Sequence, residues 1–344
     1  MEYSFEDVLT IRNGRNQKAV ENPNGKYPIY GSGGIMGYAD DFICSGDTVI
    51  IGRKGNINNP IYVSEPFWNV DTAFGLESKN DLLNPRYLFY FCKRFDFEKL
   101  NKTVTIPSLT KSDLLKIRLN VPELSIQEEI VSKLVKLEKI VQLRLNELQK
   151  LDELVKARFV EMFGDPIQNT FGWEKKRFDE ICENLDSRRK PITSTNRVKG
   201  IYPYYGASGI VDYVEDYIFD EDILLVSEDG ANLLMRSTPI AFSVSGKVWV
   251  NNHAHVVKFE KMCLQKYIEI YFSLVDITDS ITGSAQPKLN QAKLNAMEFP
   301  IPDESRLEKY FDFLKQIDKS KVAIQKSLAE TQLLFDKLMQ DYFG

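Results

Sequence analysis

The segment Gly52-Arg-Lys-Gly-Asn-Ile-Asn-Asn-Pro60 places two cations and three asparagines in a glycine-bounded loop behind an apolar run. A loop of this kind can come close to a phosphate, and an asparagine amide matches the adenine edge presented in a major groove. Arg53, Lys54, Asn56 and Asn58 are its candidate contact residues. A second loop, Ser227-Glu-Asp-Gly-Ala-Asn232, is acidic instead and suits the amino group of cytosine, with Asn232 as its amide. Two further tracts are basic. Arg12-Asn-Gly-Arg-Asn-Gln-Lys18 offers Arg12, Arg15 and Asn16. Ser187-Arg-Arg-Lys-Pro-Ile-Thr-Ser-Thr-Asn-Arg197 offers Arg188, Arg189, Lys190, Thr193 and Arg197. Gly283-Ser-Ala-Gln-Pro-Lys-Leu-Asn290 brings Ser284, Gln286, Lys288 and Asn290 to the start of a short helix, an arrangement suited to holding a phosphate. Thr103-Val-Thr-Ile-Pro-Ser-Leu-Thr-Lys111 occupies the matching place with Ser108, Thr110 and Lys111. Tyr30, Tyr205, Trp68 and Trp249 could stack on bases or belong to a core, and Ser32 and Ser208 lie in the small-residue tracts after the two tyrosines. For each of these residues a solvated turn is the plainer alternative.

Catalytic patterns are missing from the sequence. It holds no GxxxxGK[ST], no HExxH, no GxSxG and no Cys/His set at zinc spacing. It also lacks the [DNS]PP[YF] tract with which amino-methyltransferases hold a flipped base. His253 and His255, two apart, would face the same way on a strand, as a metal pair or, more simply, as a surface or interface pair. Cys44, Cys92, Cys182 and Cys263 are scattered and read as reduced, mostly buried thiols. The net charge of −5 argues against a purely electrostatic nucleic-acid binder. No run of 18 apolar residues occurs, and the start MEYSFEDVLT has no basic region followed by an apolar one. A cytoplasmic protein is expected.

The elements that position these loops repeat. Tyr27-Pro-Ile-Tyr-Gly-Ser-Gly-Gly-Ile-Met-Gly-Tyr38 returns as Tyr202-Pro-Tyr-Tyr-Gly-Ala-Ser-Gly-Ile-Val-Asp-Tyr213, and Asp47 to Gly55 returns as Asp222 to Gly230, both displaced by 175 positions. Trp68-Asn-Val-Asp-Thr-Ala73 answers Trp249-Val-Asn-Asn-His-Ala254, and Ile106-Pro-Ser-Leu109 answers Gln286-Pro-Lys-Leu289. Short apolar runs at 48–51, 61–63, 223–226, 240–242 and 248–250 read as strands, and 85–100 and 264–274 as helices. Each repeat is therefore expected to be α+β, on a small twisted and mainly antiparallel sheet. Each is followed by a long stretch free of Gly and Pro. Ser125–Met162, about 57 Å long as a helix, carries Ile130, Leu134, Leu137, Val141, Leu145, Leu148, Leu151 and Val155 on one face, with Ser125 and Glu128 forming a capping box. The second, from Glu304, carries Leu307, Phe311, Leu314, Ile317, Ile324, Leu328, Thr331, Phe335 and Leu338. Two such stripes most simply bury each other as a coiled-coil pair. Leu134, Leu137, Val141, Leu148, Leu314, Ile317, Leu328 and Phe335 are the pairing and docking candidates. Pro122 and Pro302 mark boundaries, giving globular regions 1–122 and 167–302 and helical regions 123–166 and 303–344.

Two copies of YPxYGxxG, a strand ending before a glycine loop, Trp ahead of a polar tract and GSAQPKLN, each closed by a long helix, resemble the specificity subunit of a type I restriction-modification system. The similarity runs over essentially the whole chain, with the first repeat departing from it at Thr103–Thr110. The resemblance implies two target-recognition domains, each reading half of a split, asymmetric double-stranded DNA site. It also implies antiparallel spacer helices that set the gap and dock two methyltransferase subunits and two restriction subunits. S-adenosylmethionine, Mg²⁺ and ATP would be used by those partners, with no cofactor or metal on this chain. A self-contained methyltransferase or nuclease with disguised motifs, and a pure protein scaffold, are the rival classes. Labelled S-adenosylmethionine transfer and DNA sequence preference separate them.

Overall fold

The computed structural model describes residues 1–103, 105–283 and 286–344. It divides into two compact units, Met1–Leu145 with Gln325–Gly344 and Asn146–Ile324, each combining one globular repeat with part of each long helix.

In the first unit, strands Leu9–Asn13, Ala73–Ser78, Thr48–Gly52 and Ile61–Val63 form, in that order, a four-stranded antiparallel sheet. Thr48–Gly52 is apolar without alternation because both its faces are buried. Val49 and Ile51 join Ile11, Phe74 and Leu76 under Tyr87, Leu88 and Phe91 of helix Pro85–Arg94. Ile50 packs on the other side with Cys44, Val63, Phe67 and Ala73. The helix starts where Asn84 Oδ1 accepts the N–H groups of Arg86 and Tyr87 at 2.9 and 3.2 Å, with Pro85 in the first turn. A smaller sheet has the order Gly34–Ala39, Tyr27–Gly31, Trp68–Asn69, its last pairing parallel. The start of the central helix (Leu124–Phe163) brings Ile130, Val131 and Leu134 into the main core. The end of the C-terminal helix (Glu304–Phe343) brings Phe335 and Met339 into the same core, so the two run antiparallel here.

The second unit repeats the plan. Glu183–Asn184, Ala254–Lys258, Ile223–Ser227 and Ala241–Val244 form the main sheet. Gly209–Val214, Lys199–Gly206, Lys247–Val250 and Phe219–Asp220 form the smaller one, again with one parallel pairing, Tyr204 to Trp249. Leu224 and Val226 face helix Met262–Leu274, while Ile223 and Leu225 face the smaller sheet. Where the helices pass, Phe159, Phe163, Tyr267 and Tyr310 gather with ring centroids 5.0 to 5.8 Å apart. Burying each such ring contributes about 1.5–3 kcal/mol.

The helical pairing follows the sequence stripe at its ends and leaves it in the middle. Leu134, Leu314, Ile317 and Phe335 are buried, and Leu137, Val141, Leu148 and Leu328 are half-buried. Leu145, expected on the seam, is 46% exposed. The ends pack into the globular cores: Ile130, Val131, Leu134, Phe335 and Met339 into one, and Val155, Phe159, Leu314 and Ile317 into the other. The expected cap also moves: the central helix begins at Leu124, and Glu123 O accepts the N–H groups of Ile126 and Gln127, so Ser125 lies inside the first turn. Gln127 escaped the sequence reading. Fully buried, it donates to Leu82 O and Pro122 O at 2.9 and 2.7 Å and accepts the Asn84 N–H at 2.8 Å, tying the helix start to the repeat. The two histidines do not share a face, because His253 precedes the strand that holds His255. Cys44, Cys92 and Cys263 are buried, Cys182 is half-buried, and all four are free thiols. No helix among the described residues is long and apolar enough to cross a membrane.

Candidate nucleic-acid interface

In the first unit the loop after Thr48–Gly52 is zipped to the tract before the short helix Lys111–Leu114. Gly55 N–H donates to Pro107 O at 2.9 Å, and Leu109 N–H donates to Arg53 O at 2.9 Å. Gly52 is required here: a Cβ would stand 2.1 Å from Asn56 O and 3.1 Å from Ser32 Cβ. The loop backbone is therefore fixed against the half-buried Ser32 of the hairpin turn. Its side chains divide into two sets. Lys54 and Asn56 are exposed and, among the described residues, their side chains have no hydrogen-bond or ion-pair partner. Arg53 lies 5.7 Å over the Phe74 ring. Asn58 turns inward, donating to Asp96 Oδ1 at 3.1 Å and accepting the Phe97 N–H at 2.7 Å.

The basic tract divides in the same way. Arg15 is exposed, its side chain has no partner among the described residues, and its carbonyl accepts the Trp68 indole N–H at 3.0 Å. Trp68, buried, is thus a pin for the loop and not a stacking platform. Arg12 is paired with Glu77 at 2.7 Å, and Asn16 Oδ1 accepts the Lys18 N–H at 2.9 Å. Lys111 Nζ donates to Ile11 O at 2.8 Å. Thr110 caps its helix through the Asp113 N–H at 3.2 Å. Ser108 is half-buried and bridges in register with Lys54. Tyr30 is half-buried at 5.4 Å from the Phe67 ring, and burial raises its pKa.

The second unit keeps the zip and changes the chemistry. Gly230 N–H donates to Pro287 O at 3.0 Å and Leu289 N–H to Glu228 O at 2.8 Å. Beneath it lies an ionic network. Arg189 reaches Glu228 at 2.6 Å and Asp186 at 3.2 Å, and Lys288 reaches Glu228 at 3.1 Å. His255, buried, sets Nδ1 2.6 Å from Asp186 Oδ2 and Nε2 2.7 Å from Leu289 O. Burial pushes the Asp186 carboxyl up, but the hydrogen bond and charge of His255 and the Arg189 charge outweigh it, leaving it below the ordinary value. Glu228 is likewise lowered, burial being outweighed by Arg189, His255 and Lys288. Asp186, Glu228 and His255 could by spacing bind a metal ion, with ligand atoms within 4.8 Å of one another. Arg189 and Lys288 already neutralise the two carboxylates, so the donor set does not suit a cation.

The acidic loop is therefore not the free cytosine reader that its sequence suggests. Glu228 is neutralised internally, and Asp229 lies 2.9 Å from His253 Nδ1. Arg188 is held by Glu221 at 2.6 Å, above the Phe219 ring, and Arg197 by Asp212 at 3.2 Å, above Tyr204. Asn232 closes a turn with Thr238, and Asn290 caps its helix through the Lys293 N–H at 2.9 Å. Thr193 shares a hydrogen bond with Thr195, and Tyr205 is half-buried 6.0 Å from Phe242. Lys190, Ser208 and Gln286 are exposed with no side-chain partner among the described residues. The Lys190 carbonyl accepts the Trp249 indole N–H at 2.6 Å, as Arg15 does for Trp68. Ser284 lies outside the described residues. The network escaped the sequence reading because its members come from four separate segments.

A duplicated sheet-and-helix unit presents one backbone frame twice with different side chains, the architecture of an internally repeated two-unit α+β protein. The chain belongs to the type I restriction-modification DNA specificity domain family, whose description matches residues 1–155 and 171–332. It is 37% identical over 129 residues to a Haemophilus influenzae protein named as a type I restriction enzyme specificity subunit. That match covers 38% of this chain and about a third, 33%, of the relative's length. The fold is similar to the crystal structure of a type I restriction-modification S subunit from M. genitalium, at 16% identity, TM-score 0.67 and coverage of 100% of this chain and 96% of that one. It is also similar to a chain from a structure on complex assembly and conformational transition of the type I system, at 14% identity, TM-score 0.60 and coverage of 100% and 97%.

Proposed function

We propose that the chain is the sequence-reading subunit of a type I restriction-modification complex. Each unit reads one half of a split, asymmetric double-stranded DNA site, and the long helices set the gap between the halves. The chain itself performs no catalysis. It docks two methyltransferase subunits, which supply S-adenosylmethionine chemistry on adenine, and restriction subunits that use Mg²⁺ and ATP. The observation that supports this reading is the pair of zipped loops. Gly55 to Pro107 and Gly230 to Pro287 hold one frame in both units, while the residues exposed on it differ, Lys54 and Asn56 in one and Ala231 and Gln286 in the other. One frame with two side-chain sets is what two unlike half-sites require. The test is to express the chain with the methyltransferase encoded beside it and map modified adenines across a genome. One split motif with a constant gap, lost when this chain is omitted, is the expected result. A stable complex that yields no motif overturns the reading.

A further inference from the structure

Strands Gly34–Ala39 and Gly209–Val214 lie at the free edges of the two smaller sheets. Each carries large apolar side chains in solvent. Ile35, Met36 and Tyr38 are 56, 61 and 45% exposed, and Ile210, Val211 and Tyr213 are 47, 56 and 50% exposed. The two sets occupy equivalent positions of the repeat. The base of each hairpin carries the same aromatic pair, Tyr27 with Phe42 at 5.0 Å and Tyr202 with Tyr217 at 5.1 Å. An exposed apolar edge strand invites pairing with another chain, and folds usually blunt it. Here both repeats leave it open.

The comparison between repeats identifies the occupant. The zipped loops diverge, with Arg53, Lys54 and Asn56 replaced by Glu228, Asp229 and Ala231, as readers of different half-sites must. The edge strands keep their chemistry, with Ile, an apolar residue and Tyr in the same order. What differs reads what differs; what is kept binds something common to both halves. The DNA backbone is common to both, but the charges beside these edges run the wrong way for phosphate. Glu21, Asp40 and Asp41 stand against Lys26 in the first unit. Asp212, Glu215, Asp216 and Asp220 stand against Arg197, Lys199 and Lys247 in the second. We propose that these two edge strands are docking sites for two copies of one partner protein, which offers an apolar patch rimmed by basic residues. Resting on the function proposed above, that partner is the methyltransferase subunit, one copy per edge.

The full chain is co-expressed with the methyltransferase, and the mass of the complex is read by native mass spectrometry. Ile35→Ser with Met36→Ser is expected to leave one copy bound in place of two, as is Ile210→Ser with Val211→Ser. The fourfold variant is expected to lose both copies, with an unchanged thermal melt of the chain alone because these side chains are 47–61% exposed. Asp40→Lys with Asp41→Lys, and Glu215→Lys with Asp216→Lys, reverse the rim at the loss of only exposed hydrogen bonds to Asn22, Phe42 and Tyr217 and should weaken the complex at least tenfold. Two copies retained at unchanged affinity in the fourfold variant overturn the inference while leaving the proposed function intact. Retained copies with lost DNA binding assign the strands to DNA, and a self-dimer of the chain dissolved by the variants assigns them to a second copy; either overturns it. A wild-type chain that recruits no methyltransferase overturns both readings.

Discussion

The side chains of Lys54 and Asn56 reach solvent with no partner among the described residues, whereas Glu228 and Asp229 near the same place of the second repeat are held by Arg189, Lys288 and His253. The two exposed residues should differ in what they contribute. Asn56→Ala is expected to relax one base position at a cost of about 1–3 kcal/mol. Lys54→Ala is expected to weaken binding evenly across sequences and lower the salt slope by about one. Binding titrations against a panel of single-base variants at two salt concentrations separate these outcomes, and an even loss for Asn56→Ala would assign it to the backbone. The buried network makes a stability prediction. Asp186 and Glu228 lie below their ordinary values in the fold, so their stabilisation is present above about pH 4 and is lost as pH falls through the lower folded values. Asp186→Asn removes the carboxylate that faces His255 and Arg189, leaving Arg189 with Glu228 at 2.6 Å, and should cost about 1–3 kcal/mol at neutral pH. It should also flatten the fall of the urea midpoint below pH 4, and an unaltered acid slope would refute the assignment. The tracts themselves were legible because glycine, proline and charge stand together in sequence. Which charges remain free was not, because neutralisation is decided by segments that meet only on folding.

The elements were legible to the extent that burial is periodic. Thr48–Gly52 and Ile223–Ser227 read as strands from short apolar runs, and both long helices from spacings of three and four. The parallel pairings of Tyr27–Gly31 with Trp68–Asn69 and of Lys199–Gly206 with Lys247–Val250 gave no such signal. Neither did Gln127, which looks in sequence like one polar residue in a helical first turn. Periodicity says which face is apolar; it does not say how much of that face finds a partner. Leu145 and Gln127 therefore invert the ranking their types suggest. Gln127→Ala removes three hydrogen bonds from a fully buried site and should cost about 1–3 kcal/mol. Leu145→Ala, on the nominal stripe, should stay within about 0.5 kcal/mol. Chemical denaturation of the two variants side by side is the check, and a Leu145 cost equal to that of Gln127 would restore the continuous seam.

At the scale of the whole chain, the duplicated architecture makes the helices a measurable quantity under the proposed function. The central helix and the C-terminal helix each run 40 residues. In the first unit their residues Leu134 and Phe335 share a core, so lengthening one helix alone would pull that pairing out of register. Both must grow together. Four residues added near Lys139, matched by four near Thr331, keep the apolar stripe nearly in phase, since about 3.6 residues make one turn. They lengthen each helix by about 6 Å. At about 3.4 Å per base pair, that is close to two base pairs. The modified adenines mapped with the lengthened chain are therefore expected to show the same two half-sites with the gap widened by one or two base pairs. A motif with an unchanged gap would show that the spacing is set by the partners instead, and altered half-sites would show that the insertion had disturbed the recognition units themselves.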